Sequence, residues 1–96
     1  MAKVIGLDQE RRKLVVRAPK EASSPYWDFV LQVEGEDPIT IHRAFTDRDP
    51  TDVVRGVQFP LYQHVSSNWL DHNWPRLQKS IVEAIQELAR EVRFEK

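Results

Sequence analysis

The sequence lacks cysteine, has few glycines and contains no long apolar run, and each shortage excludes a class of protein. Without cysteine the chain has neither disulfide bonds nor thiolate metal sites, which is compatible with a reducing compartment. Only three of the 96 residues are glycine, and neither a phosphate-binding glycine-rich loop nor a hydrolase nucleophile motif is present. No stretch approaches the roughly 18 apolar residues of a membrane span, and the first apolar run is too short for a signal peptide. We therefore expect a cytoplasmic protein without membrane contact, cofactor or bound metal.

An excess of charge of one sign is also missing. Fourteen Lys and Arg residues against fifteen Asp and Glu residues give a formal net charge of -1. Proteins that bind nucleic acid irrespective of its sequence usually carry a clear basic excess, so the balance argues against such a partner. The 41% hydrophobic content is ordinary for a globular protein, and the length suits one domain. We predict a single α+β domain over residues 1–96.

Four segments in the first half have the composition of β-strands, at about residues 3–7, 13–18, 26–34 and 39–45. The third is the clearest, because its apolar residues Trp27, Phe29, Leu31 and Val33 alternate against Tyr26, Asp28, Gln32 and Glu34. Residues 19–25 contain two prolines and are predicted to form a surface loop. The strands together predict an antiparallel meander with one apolar face.

The fourth strand carries one irregularity. Ile39, Ile41 and Phe45 are predicted on its apolar face, with His42 opposite. Arg43 then falls on the apolar side, where an unpaired charge is costly. We therefore expect Arg43 either at the margin of the sheet or beside a carboxylate.

The second half has helical signals. Asp49 followed by Pro50 is typical of a helix start, and Gly56 is predicted to end this helix early. Residues 53–59 also alternate acceptably for a strand, but the start signal favours a helix. Pro60 is predicted to open a second helix over residues 61–72.

The longest signal runs from Trp74 to Phe94, where apolar residues recur at helical spacing and Pro75 fits the first turn. The apolar stripe of such a helix needs a partner surface, which the sheet supplies. The fold class predicted is thus a two-layer α+β domain, with strands at about 3–45 and helices at about 50–94 on one face. Its predicted core consists of Trp27, Phe29, Leu31, Ile41, Ile81, Ile85 and Leu88.

For function, the segment between the two last predicted helices is the favoured binding surface. Tryptophan and arginine are over-represented at binding hot spots, and cations at a helix start attract anions. These two arguments predict a surface for an acidic protein partner or a second copy of the chain, made of Trp69, His72, Asn73, Trp74, Arg76 and Lys79. The alternative is that both indoles only hold the helices onto the sheet.

Two other functions are open. A metal-dependent or acid/base enzyme would use His64, Asp71 and His72 on one helix edge, although the two imidazoles lie too far apart along a straight helix to bind one ion. A nucleic-acid binder would use Tyr26 with the basic residues of the first hairpin, Arg11, Arg12, Lys13 and Arg17. The acids Asp47, Asp49 and Asp52 lack the remaining ligands of a calcium loop, and helix capping explains two of them. No catalytic or metal-binding residue is therefore assigned, and a non-enzymatic protein-interaction module is the favoured function.

Overall fold

The computed structural model describes residues 2–8, 11–19 and 25–91. Its strands are β1 (Ala2–Gly6), β2 (Arg12–Arg17), β3 (Tyr26–Val33) and β4 (Ile39–Phe45). They form one antiparallel sheet in the order β1-β2-β3-β4, which confirms the predicted meander. The loop predicted at 19–25 lies largely outside the described residues, as does the predicted end of the last helix beyond residue 91.

A β-bulge interrupts the pairing of β3 with β4. Phe29 is opposite His42 whereas Val30 is opposite Thr40, so Ile41 is an extra residue in β4. Such an insertion reverses the alternation of side chains between the two halves of a strand. Side chains therefore alternate between the two faces of the sheet in both halves of β4, but the alternation shifts by one residue at the bulge.

The bulge corrects the predicted faces of β4. The ring of His42 lies on the helix side, with its centroid 5.7 Å from that of Phe29. Phe45 lies on the opposite side, 4.6 Å from the ring of Tyr26, and is 49% exposed. The prediction that Phe45 faces the core and His42 faces solvent was wrong because it assumed an unbroken strand. The bulge also moves Arg43 to the outer face, where its Nε donates to Asp28 over 2.7 Å.

Two helices follow, α1 (Pro50–Leu61) and α2 (Ser67–Glu91). The predicted start of α1 is confirmed, since the Asp49 carboxylate accepts the N–H of Thr51 at 2.9 Å. Gly56 does not end this helix, and that prediction was wrong. A Cβ at Gly56 would lie 2.6 Å from Nε2 of His42, so the glycine lets α1 pass close over β4. None of the described helices combines the length and the apolarity needed to cross a membrane.

The helix boundaries taken from prolines were also wrong. Pro60 lies inside the last turn of α1, and Pro75 lies inside α2 rather than in its first turn. The segment predicted as a separate helix at 61–72 is therefore split between the end of α1, a connection and the start of α2. Burial decides this, because Leu70 is as buried as Leu77 and both lie on the stripe that packs on the sheet.

The core lies between the sheet and the two helices. Leu14, Val16 and Phe29 form its sheet side, each with 0% exposure. Val53, Val54, Val57 and Leu61 belong to α1; Leu70, Leu77, Ile81, Ala84, Ile85 and Leu88 belong to α2. Of the predicted core, Trp27, Phe29, Ile81, Ile85 and Leu88 are confirmed; Ile41 is partly buried against this core, and Leu31 is 2% exposed but lies outside the cluster.

Candidate binding groove beside the first strand

The hydrogen-bond pattern of the first hairpin shows which backbone groups of β1 are free of the sheet. Leu7 donates its N–H to the carbonyl of Arg12 over 3.1 Å, and bonded pairs recur at every second residue of an antiparallel ladder. Lys3 and Ile5 therefore bond to β2, where they are opposite Val16 and Leu14. The N–H and C=O groups of Ala2, Val4 and Gly6 point away from β2. Since β1 is the edge of the sheet formed by the described residues, these groups form a row that, within residues 2–8, 11–19 and 25–91, is open to another strand.

Helix α2 runs along this open edge and makes a groove with it. Its volume is about 350 Å³, and its strand wall is Lys3–Gly6. The helix wall consists of Arg76, Ser80, Glu83, Ala84 and Glu87, which recur at helical spacing along one line of α2. An extended backbone laid in this groove would touch the sheet edge on one side and α2 on the other.

Charge in the groove is partly satisfied within the chain. The Lys3 ammonium lies 3.3 Å from the Glu87 carboxylate and 3.4 Å from that of Glu91. These contacts, the hydrogen bond to Glu87 above all, raise the pKa of Lys3 above its usual range. Among the described residues, neither Arg76 nor Glu83 makes an ion pair. The groove therefore presents an unneutralised cation near one end of the helix wall and an acid further along it.

Of the six sequence-predicted binding residues, Trp69, His72, Asn73 and Arg76 recur at helical spacing along α2, with Lys79 close to the same line and Trp74 away from it. Trp69 and Trp74 are half-buried against the core, and Asn73 donates from Nδ2 to the Trp69 carbonyl over 2.9 Å. The side chains of His72, Arg76 and Lys79 are exposed. Of the six, only Arg76 lines the groove.

Arg76 and Lys79 do not lie at a helix start, so the predicted attraction of an anion by the helix dipole does not apply to them. Helix α2 begins at Ser67, so Arg76 and Lys79 lie in its third and fourth turns. The positive end of a helix dipole acts only within the first turn. Their position therefore creates no anion site, and the segment around His72 is not a junction between helices.

Two residues of the enzyme alternative contact other parts of the chain, His64 through its backbone carbonyl and Asp71 through its side chain. His64 lies between the helices, and its carbonyl accepts from Nη1 of Arg12, whose Nε is 3.7 Å from the Asp8 carboxylate. Asp71 accepts a hydrogen bond from the Tyr62 hydroxyl, which raises the pKa of Tyr62. Within residues 2–8, 11–19 and 25–91, no three His, Asp or Glu side chains come close enough together to hold a metal ion.

The basic residues of the nucleic-acid alternative are split by the sheet. Arg12 is engaged on the helix side, and Arg11 lies 4.0 Å from Glu34. Alternation places Lys13 and Arg17 on the outer face, together with Tyr26. Of the four basic residues, only Lys13 and Arg17 thus lie on that face, and Arg17 is opposite the acid Asp28.

Sequence reasoning missed the strand side of the groove and most of its helix side. The sequence predicts Val4 and Gly6 only as part of a strand, and Ser80, Glu83 and Ala84 only as positions of the last helix. A signal was present in the small residues at 80 and 84, one helical turn apart. No protein family model, curated protein or solved structure matches this chain.

Proposed function

We propose that this chain is a non-enzymatic protein-interaction module, which binds an extended strand of a protein partner along the free edge of β1. The observation that carries the proposal is the row of outward backbone groups at Ala2, Val4 and Gly6 beside the wall formed by α2. Addition of a strand to an exposed sheet edge is a recurring mode of protein recognition, in which main-chain hydrogen bonds supply affinity and neighbouring side chains supply specificity.

The side chains of the groove support this mode. Val4 is 60% exposed, and a paired strand would remove it from water. Ala84 and Ile5 give the groove an apolar floor, while Arg76 would face an acidic side chain of the partner. A cytoplasmic location is part of the proposal, as is an acidic partner segment.

A proline substitution tests the proposal with little change to the fold. Val4→Pro removes an N–H that points away from β2, so the hairpin ladder stays intact, and proline is tolerated on the open side of an edge strand. Peptides selected by display on the wild-type chain should bind the Val4→Pro variant at least about tenfold more weakly. Thermal melting of both proteins checks that the fold is retained.

The matched control lies on the other edge. Arg43→Pro removes an outward N–H of β4, since Thr46 donates to the carbonyl of Pro25 and the same alternation applies. Binding of the selected peptides should be unchanged in this variant. Equal binding of the selected peptides by wild type and Val4→Pro, or failure of a monomeric chain to select any peptide, would show that β1 is not the recognition edge.

A further inference from the structure

We infer that the strand received by the groove belongs to a second copy of this chain, so that two β1 strands pair antiparallel about a two-fold axis. The inference rests on the proposed function and specifies its partner. A symmetric dimer needs a surface that is complementary to itself, because each patch meets its own copy. Three properties of the groove meet this requirement.

The first property is the backbone pattern of β1. With the two-fold axis at Val4, that residue is opposite Val4 of the second copy, and Ala2 is opposite Gly6 of the second copy. All the outward N–H and C=O groups of both strands are then paired in a continuous eight-stranded sheet. The residues at these positions, Ala2, Val4 and Gly6, are uncharged, so the pairing places no like charges opposite each other.

The second property is an apolar row on the outer face of the sheet. Val4, Val15 and Val30 are neighbours across β1, β2 and β3. Val15 and Val30 are 4% and 2% exposed, whereas Val4 at the end of the row is 60% exposed. Pairing of two β1 strands joins the rows of both copies and covers Val4 with Val4 of the second copy.

The third property is the order of charges on α2. In the dimer the two α2 helices run antiparallel across the axis, with their groove sides facing each other. Ser80 and Ala84 are small, which permits a close approach at an interaxial distance of about 8–10 Å. Arg76 lies one turn before Ser80 and Glu83 almost one turn after it, so an axis beside Ser80 brings Arg76 of each copy to Glu83 of the other.

Glu83 is the acid left for this contact, because Glu87 is already bound by Lys3 within the chain. An unrelated peptide strand would bind the sheet edge only, and it would bring no second α2 helix to pair with Arg76 and Glu83. The arrangement on α2 therefore favours a second copy over another partner.

A charge swap tests the dimer through its mass in solution. In Arg76→Glu the two helices oppose acid to acid at both ends, and in Glu83→Lys they oppose cation to cation. Each variant alone should sediment as a monomer, or dissociate at least about tenfold more readily than the wild-type dimer. An equimolar mixture restores opposite charges at both ends, so it should sediment as a heterodimer.

Lys79→Glu is the matched control, since Lys79 is an exposed cation of α2 that does not line the groove. It should leave the dimer unchanged. A wild-type chain that is monomeric at hundreds of micromolar, or single variants that remain as dimeric as the wild type, would overturn the inference.

The outcome also separates this inference from the proposed function. If the chain is a monomer but displayed peptides bind the wild type and not Val4→Pro, β1 receives the strand of a different protein and only the dimer is wrong. If neither self-association nor peptide binding occurs, both proposals fail.

Discussion

The two edges of this sheet differ in how they are protected against another strand. On β4, the bulge at Ile41 interrupts the edge, Arg43 adds a charge beside it, and α1 packs on the inner face of the strand, where Gly56 meets His42. On β1, the pairing is regular over all five residues, and the outward positions carry Ala2, Val4 and Gly6. Edge strands are commonly blunted by bulges and charges, because an open edge pairs with other chains. A bulge is present on β4, whereas β1 is regular and its one charged residue, Lys3, is paired with Glu87 and Glu91 of α2.

The contrast extends to the helices. α1 covers β4 so closely that glycine is required at the contact, whereas α2 leaves a groove beside β1. One small domain thus has an edge interrupted by a bulge and an edge with regular pairing.

The largest effect is expected from loosening the helix wall of the groove. Ile85 is 3% exposed and holds α2 in the core, so Ile85→Ala should lower the free energy of unfolding by about 2–5 kcal/mol. Gln86→Ala, at the exposed position next to it, should change stability by less than about 0.5 kcal/mol. Urea denaturation measures both values, and an equally small loss in both variants would show that α2 is not packed through this face.

A smaller effect is expected from the closed edge. Gly56→Ala places a methyl group against the His42 ring, and overpacking of this kind costs about 1–3 kcal/mol, partly offset by the better helix propensity of alanine. Gly6→Ala is the control on the open edge, because a Cβ at Gly6 meets no atom within 4 Å. Thermal melting should show a loss only for Gly56→Ala, and a more stable Gly56→Ala protein would mean that α1 does not press on β4.

The pH dependence of stability reports on the same contact with a smaller expected change. Burial between β4 and α1 lowers the pKa of His42 from its usual 6.5. The unfolded chain then binds a proton more readily than the folded chain, so the free energy of unfolding decreases as the pH falls below 6.5 through the lowered folded value. His42→Gln should flatten this part of the profile. An unchanged slope in the variant would show that another group is responsible.

Much of the fold could be predicted from the sequence, because strand alternation and helical spacing depend on burial. The four strands, their order and the start of α1 at Asp49 follow from such local signals. The helix ends could not be predicted from Gly56, Pro60 and Pro75, since tertiary packing overrides weak local preferences. The contact that requires glycine at position 56 is visible only once β4 and α1 lie together.

The side-chain faces of β4 and the groove could not be predicted from the sequence either, because both depend on tertiary contacts. Arg43 on the apolar side was the sign that the alternation broke, but a bulge can be located only from the pairing with β3. The groove depends on which residues of β1 face outward and on where α2 lies. The tryptophans and arginine near His72 are of types that are common at binding sites, whereas the groove is lined mainly by small and charged residues that are also common on exposed helix faces.

Amide hydrogen exchange of the pure chain at low and high concentration compares the outward N–H groups of the two edges. If two β1 strands pair, the Val4 amide becomes protected as the concentration rises, while the Arg43 amide exchanges at a constant rate. Protection of Arg43 without Val4, or no change at either amide, would contradict this pairing.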